Sequence, residues 1–301
     1  MERMLIAGAN GFIARHLTDY FSQCGWQVVG LARRQEGMHE ACRYVNWDGV
    51  SLGDWVEEID ACDVLVNLVG RSINCRHTEE NKKQILDSRV KSTELLGQAV
   101  KNSESPPHLW INASGVGFYQ ETFDLSHDEN GPKGEGFIAD VVDAWEEALF
   151  AADISSGVRR VALRTAMVVA DEPGNPYRVL GMLSRLGLGG KVGSGQQMVS
   201  WIHIEDVSRV IEFVIEHEEL SGPVNMSAPH AVSNAEMMRR FRKSVGMPLG
   251  LPAPTFGVHI GAFFMGTAPE LVLGSNWAVP TKLLDTGFVF DYPEMTPWDW
   301  S

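Results

Sequence analysis

The sequence predicts an α/β protein, a doubly wound parallel sheet followed by a smaller, mostly helical C-terminal domain. Three observations predict it. Short apolar runs alternate with longer amphipathic segments through the first half. A glycine turn joins the first run to the first amphipathic segment. After Thr165 the rhythm changes to loops and to helical segments broken by Pro248, Pro252, Pro254 and Pro269.

Met4-Leu5-Ile6-Ala7 reads as a buried strand and 12–24 as a helix. Strands are expected at 27–32 and 43–45, and Asp63-Val64-Leu65-Val66-Asn67-Leu68 as a fourth. A long amphipathic helix is expected over 79–101, a strand over 108–113, a helix over 137–152 and a strand over 160–163. Strands alternating with helices argue for a parallel sheet covered on both faces. Residues 171–176 read as a loop, and Asp206 as the cap of a helix running to His217. Pro223-Val224-Asn225-Met226 supplies one more sheet strand. Residues 1–170 with about 203–226 thus form one domain, and 171–202 with 227–301 a smaller substrate-side domain.

At 301 residues the chain can bury a substantial core. With 39 acidic against 25 basic residues its net charge is −14, a surface that repels phosphate backbones and anionic lipid heads. Nucleic acid and membrane are therefore not expected partners, although a local basic pocket can still hold a phosphate. Met1-Glu2-Arg3-Met4 runs straight into the first strand, so no secretory signal is expected. Cys24, Cys42, Cys62 and Cys75 lack C-x-x-C spacing, which favours a reducing, cytoplasmic compartment. No clustered ligand spacing points to a metal, and no G-x-S-x-G elbow points to a serine hydrolase.

Gly8-Ala9-Asn10-Gly11-Phe12-Ile13-Ala14 lies between the first strand and the first helix. Glycine at 8 and 11 permits a tight turn and close approach to a pyrophosphate, and the helix start offers free N–H groups to it. Ala14 takes the third small position. A plain strand-to-helix turn is the alternative, but the strand, the helix and the alternating units beyond agree on a Rossmann-type dinucleotide site. The second strand ends Leu31-Ala32-Arg33-Arg34, with no acid to hold ribose hydroxyls. Arginine there accommodates a 2′-phosphate, which selects NADP(H) over NAD(H). One charge-assisted bond contributes roughly 1.5–3 kcal/mol, about 10- to 100-fold in affinity.

With Asn67-Leu68-Val69-Gly70 closing the fourth strand and Asn112-Ala113-Ser114 the fifth, the chain resembles the extended short-chain dehydrogenase/reductase superfamily. More narrowly, it resembles an atypical NADP-binding branch, the epimerase family with a C-terminal domain of unknown function. Ser88-Arg89-Val90, Gly117-Phe118-Tyr119, Trp145-Glu146, Ser200-Trp201-Ile202-His203 and Gly287-Phe288-Val289-Phe290 carry that resemblance from end to end. It implies a cofactor site of Gly8, Asn10, Gly11, Phe12, Ile13, Arg33, Arg34, Asn67, Leu68, Val69, Gly70, Arg89, Ala113 and Arg164.

The superfamily's chemistry uses a serine, a tyrosine and lysine one helical turn apart, and usually an asparagine. Ser114 matches the serine. Counting back from Trp145-Glu146, the tyrosine and lysine positions fall near Ile138 and Val142, which move no proton, and the asparagine position falls near Arg89. Ser114 and Tyr119 are the catalytic candidates, with a backbone-bonded serine and a packed aromatic as the alternatives. Arg76 and Arg89 are candidates for an anionic substrate, or for surface salt bridges. Trp201 and His203 are pocket candidates, Trp201 as an apolar wall, with a structural histidine as the alternative for His203. The glycine-rich stretch 187–195 reads as a loop ordering over nicotinamide and substrate, with a tight structural loop as the alternative.

Two readings stand. One is an NADP-dependent oxidoreductase or epimerase-like enzyme acting on a small polar substrate, with a sugar nucleotide as one candidate. The other is a non-catalytic NADP(H)-binding redox sensor or regulatory module. A homodimer is compatible with either.

Overall fold

The structure is a computed structural model that describes residues 1–173 and 175–296. Gly174, within the loop expected at 171–176, and 297–301 lie outside the described residues.

Seven parallel strands form the central sheet: β1 (Arg3–Ala7), β2 (Gln27–Ala32), β3 (Arg43–Asn46), β4 (Val64–Asn67), β5 (Leu109–Gly115), β6 (Arg159–Thr165) and, after an interval, β10 (Gly222–Met226). Their order is β10-β6-β5-β4-β1-β2-β3, so the strand sequence reverses between β1 and β4. That reversal is the switch point at which open α/β sheets bind ligands. Helices α1 (Phe12–Gln23), α2 (Glu57–Asp60), α3 (Glu79–Asn102), α4 (Phe137–Phe150) and α6 (Ile204–Glu216) belong to this layer system. Because side chains alternate along a strand, Met4 and Ile6 pack with Leu17 and Phe21 of α1 and Val207 and Val210 of α6. Leu5 and Ala7 pack with Leu96 and Ala99 of α3 and Leu149 of α4 on the other face. A Rossmann-type doubly wound sheet is what results.

The remainder is built of small pieces. β7 (Met167–Val169) pairs in parallel with β9 (Trp201–His203), and β8 (Met198–Val199) pairs antiparallel with β11 (Val232–Ser233). Helices α5 (Pro176–Arg185), α7 (Asn234–Ser244), α8 (Thr255–Met265), α9 (Glu270–Leu273) and α10 (Thr281–Thr286) complete the chain. α5 begins inside the expected 171–176 loop: Asn175 caps it, accepting from the Tyr177 N–H at 3.0 Å, and Pro176 takes the first turn.

The cap expected at Asp206 is corrected. His203 caps α6, its Nδ1 accepting from the Glu205 N–H at 3.3 Å. Asp206 is fully buried inside the first turn and accepts from the N–H groups of Asp291 and Tyr292 at 3.0 and 2.9 Å. It ties the C-terminal segment to the sheet domain. Among the described residues, no helix is long and apolar enough to cross a membrane.

Candidate active site and dinucleotide edge

The turn after β1 is built for an anion. Gly8 has φ +83°, and a Cβ there would stand 3.2 Å from the Leu68 carbonyl carbon, so glycine satisfies both the turn and the strand-to-strand approach. Its N–H donates to the Leu31 carbonyl at 2.9 Å, and Gly11 N–H donates back to the Gly8 carbonyl at 3.0 Å. Gly11 then starts α1 with no side-chain cap and no acid in the first turn. The N–H groups of Phe12 and Ile13 are left at the positive end of the helix, as a pyrophosphate requires. A Cβ on Gly37 would stand 3.8 Å from the Asn10 carbonyl oxygen, so that loop lies beside this turn. Arg34 lies 3.7 Å from Glu36, whereas exposed Arg33 has no ion-pair partner among the described residues.

Asn67, fully buried at the end of β4, fixes the next stretch of the edge. Its Nδ2 donates to Asn112 Oδ1 at 2.7 Å and Thr93 Oγ1 at 3.1 Å, and its Oδ1 accepts from the Val69 N–H at 3.1 Å. Leu68 N–H donates to the Ala7 carbonyl at 2.9 Å. The Leu68-Val69-Gly70 backbone is thus held against Gly8, and half-buried Ala113 follows Asn112 on β5. A helix end without a cap, an unpaired arginine and a clamped strand edge suit a dinucleotide.

Ser114 enters a buried polar chain. Its hydroxyl donates to Glu146 Oε1 of α4 at 2.6 Å. Arg164, on β6, grips the same carboxylate through Nε and Nη2, both at 2.8 Å, and donates through Nη1 to the Tyr119 hydroxyl at 2.9 Å. Tyr119 in turn donates to Asn225 Oδ1 at 2.7 Å, and the Asn225 N–H donates to Glu129 Oε1 at 3.0 Å. Burial alone would push the Arg164 guanidinium down, but the Glu146 carboxylate holds it above the usual range. Burial raises Tyr119 above the ordinary tyrosine value, against the pull of Arg164, and raises Glu129 as well. Arg164 was expected on the cofactor side; its donors go to Glu146, Tyr119 and the Glu129 carbonyl. Glu146, Glu129 and Asn225 were missed by sequence reasoning, although Glu146 lies in the Trp145-Glu146 pair.

Ile138 and Val142 stand where the tyrosine and lysine were sought. A Cβ on Gly117 would lie 2.6 Å from Ile138 Cγ2, and one on Gly115 3.7 Å from Val142 Cγ2. The helix face beside the end of β5 therefore carries two apolar side chains. Tyr119, immediately beyond, is 4% exposed with its hydroxyl committed on both sides.

The other candidates are dispersed. Arg76, exposed, donates to the Phe263 carbonyl at 2.6 Å and lies 4.4 Å over the Phe263 ring. Arg89 donates to the carbonyls of Arg71 and Ile85 at 2.9 and 3.1 Å, and burial pushes its guanidinium down to about 10. Trp201 is 2% exposed, packed with Tyr177 and Met237, and its indole N–H donates to the His230 carbonyl; it is a core residue rather than a cleft wall. His203 serves as the α6 cap and stacks 3.7 Å from the Tyr292 ring; burial lowers its pKa. The 187–195 stretch is tied to the 251–253 segment: Gly190 and Gly193 N–H groups donate to the carbonyls of Leu251 and Ala253 at 3.1 and 2.8 Å.

A Rossmann-type sheet with a glycine turn at its switch point and apolar Ile138 and Val142 on the helix beside β5 defines the class, and the comparisons name it. The chain belongs to the NAD dependent epimerase/dehydratase family, whose model matches residues 4–227; a domain of unknown function (DUF1731) matches 253–297. An epimerase family protein of Mycobacterium leprae is 36% identical over 95% of this chain and 91% of its own length. The Homo sapiens epimerase family protein SDR39U1 is 30% identical over 97% of each chain. The crystal structure of that human protein with NADPH superposes with a TM-score of 0.84 at 30% identity, covering 97% of this chain and 96% of that one. A nucleoside-diphosphate sugar epimerase from Corynebacterium glutamicum matches with a TM-score of 0.78 at 29% identity, over 98% of this chain and 56% of that chain.

Proposed function

We propose that this protein binds NADP(H) along the carboxyl edge of its sheet and acts, as an oxidoreductase or epimerase-like enzyme, on a small polar substrate. The carrying observation is Arg33: an unpaired arginine at the end of β2, beside an uncapped helix start and the Gly8 turn. Gly8, Asn10, Gly11, Phe12 and Ile13 take the pyrophosphate, Arg33 the 2′-phosphate, and the 67–70 backbone the middle of the dinucleotide. The human relative solved with NADPH supports the cofactor, and the Corynebacterium protein titled as a nucleoside-diphosphate sugar epimerase supports a sugar nucleotide as substrate.

When bound, the nicotinamide supplies or takes a hydride. The residues of this chain orient rather than relay protons. Ser114 already donates to Glu146, so its lone pairs accept from a substrate hydroxyl and fix it. Arg164 grips Glu146, and Tyr119 holds Arg164, so the carboxylate that accepts from Ser114 stays in place.

A second reading, a non-catalytic NADP(H)-dependent sensor, is favoured by one observation: Ile138 and Val142 leave the usual proton-relay positions apolar. Mass spectrometry of small molecules copurifying with the native protein separates the two. NADP(H) together with a sugar nucleotide or carbonyl compound supports the enzyme. NADP(H) with only a macromolecular partner supports the sensor, and no nucleotide at all overturns both.

A further inference from the structure

We propose that α8 pairs with α8 of a second copy of this chain, burying the exposed stripe Phe256, Ile260, Phe263 and Phe264 in a two-fold symmetric dimer. Such a dimer goes beyond the nucleotide reading and does not depend on it.

The stripe follows the spacing of one helix face, and its four side chains are 69%, 55%, 62% and 81% exposed in chain order. The opposite side packs inward, where Ala262 is 2% exposed. α8 is therefore apolar on both sides, the composition of a buried helix, yet one side meets solvent. The helix is not free to roll and hide it, because both ends are tied. Just before α8 the Ala253 N–H donates to the Lys191 carbonyl at 3.0 Å, and just after it Thr267 bonds Asn74. Phe263 is held as well: its carbonyl accepts from Arg76 at 2.6 Å, and its ring stands edge-on to Phe264 at 5.7 Å.

Charge selects the occupant. Residues 244–269 contain no Asp, Glu, Lys or Arg, in a chain with 39 acidic and 25 basic residues. Of the described helices with eight or more residues, α1, α3, α4, α5, α6 and α7 all carry such charges, whereas α8 carries none. Two copies of net charge −14 repel one another, so they meet at least cost where neither brings an acid. A two-fold interface must be self-complementary, and an uncharged face of Phe and Ile is complementary to itself. A lipid surface fits less well. An interfacial helix carries a charged face rich in Lys and Arg opposite its apolar one, and the 11 residues of α8 are too few to span a bilayer. The four side chains present roughly 500 Å² of apolar surface per copy, so a pair buries about 1,000 Å², the floor for a specific interface. Exposed Leu249 and Leu251 lie on the chain leading into α8. In an antiparallel pair about a two-fold axis the middle of the stripe, Ile260, meets its own copy.

Sedimentation of the full-length protein over a range of concentrations tests it. A dimer of twice the 33.2 kDa chain mass is expected at micromolar concentration, tightening as added salt screens the repulsion between the acidic copies. Ile260→Asp should weaken it at least a hundredfold and Phe264→Ser at least tenfold, with circular dichroism unchanged because both side chains are exposed. Ile260→Lys alone should also be monomeric, whereas an equal mixture of Ile260→Asp and Ile260→Lys should form a heterodimer, as two apposed copies of one position require. The proposal is overturned if the unmodified protein stays monomeric up to roughly 100 μM. A dimer undiminished by Ile260→Asp overturns it, since another face then joins the copies, and so does a mixture that stays monomeric, since position 260 then does not meet itself. Flotation of a monomer with phosphatidylcholine vesicles, lost in Ile260→Asp, overturns it as well, because a membrane then covers the face.

Discussion

Arg164 and Glu146 form a forked ion pair with both N···O distances at 2.8 Å and side chains only 4% and 8% exposed. The pair joins β6 to α4 beneath Ser114, and its further bonds go to Ser114, Tyr119 and the Glu129 carbonyl.

Breaking one side of that pair strands a buried charge. Glu146→Ala should lower stability by about 3–5 kcal/mol, read from urea unfolding. The double replacement Glu146→Leu with Arg164→Met should lose less than Glu146→Ala alone, since it removes both charges. A double variant less stable than the single one would mean that the pair's hydrogen bonds to Ser114 and Tyr119 outweigh its desolvation.

Tyr119→Phe removes a hydroxyl that joins Arg164 to Asn225. Stability should fall by about 1–3 kcal/mol, and any measured rate by less than tenfold. Burial keeps Tyr119 protonated past the ordinary tyrosine range, so no tyrosine limb should enter a pH–rate profile near neutrality. A hundredfold loss of rate with NADPH binding intact would instead make Tyr119 the acid.

His203 links stability to pH. Its cap on α6 needs an unprotonated Nδ1, and burial depresses its folded pKa below the ordinary value near 6.5. The unfolded chain therefore binds the proton more readily, so this contribution is present above about pH 6.5 and is lost as pH falls toward the folded pKa. His203→Asn keeps a capping oxygen without a proton to gain. Urea melts at pH 7.5 and 5.5 should show a larger drop for the unmodified protein than for the variant; equal drops would remove His203 as the cause.

The glycine stretch should behave as fixed structure. A Cβ on Gly190 would meet the Leu251 carbonyl oxygen at 2.2 Å, so Gly190→Ala should cost about 1–3 kcal/mol or more. Amide exchange at Gly190 and Gly193 should be slow in the ligand-free protein, because both donate across to the 251–253 segment. Fast exchange there, slowed by NADPH and substrate, would restore the closing-loop expectation.

Much of the sheet was legible because buried parallel strands are continuous apolar runs: Leu5-Ile6-Ala7 and Val64-Leu65-Val66 need no partner to be recognised. The glycine turn was legible because Gly8 and Gly11 serve local backbone geometry. β7, β8 and β9 were not, since two- or three-residue strands have no period to read. Asp206 looked like a cap because Asp is a good one; its carboxylate is instead claimed by N–H groups 85 and 86 residues away. The bond from Ser114 to Glu146 spans 32 residues and depends on how α4 docks on β5, which no local pattern encodes. That Ile138 and Val142 are apolar where a tyrosine and lysine were sought was legible only through the family resemblance, which supplied the count back from Trp145-Glu146.

The central claim is an NADP(H) site read through Arg33, and comparative calorimetry of NADPH and NADH tests it most directly. NADPH should bind at least tenfold more tightly, about 1.4 kcal/mol, and Arg33→Ala should erase most of that gap while leaving NADH affinity within twofold. Equal affinities for the two nucleotides in the unmodified protein would contradict the account.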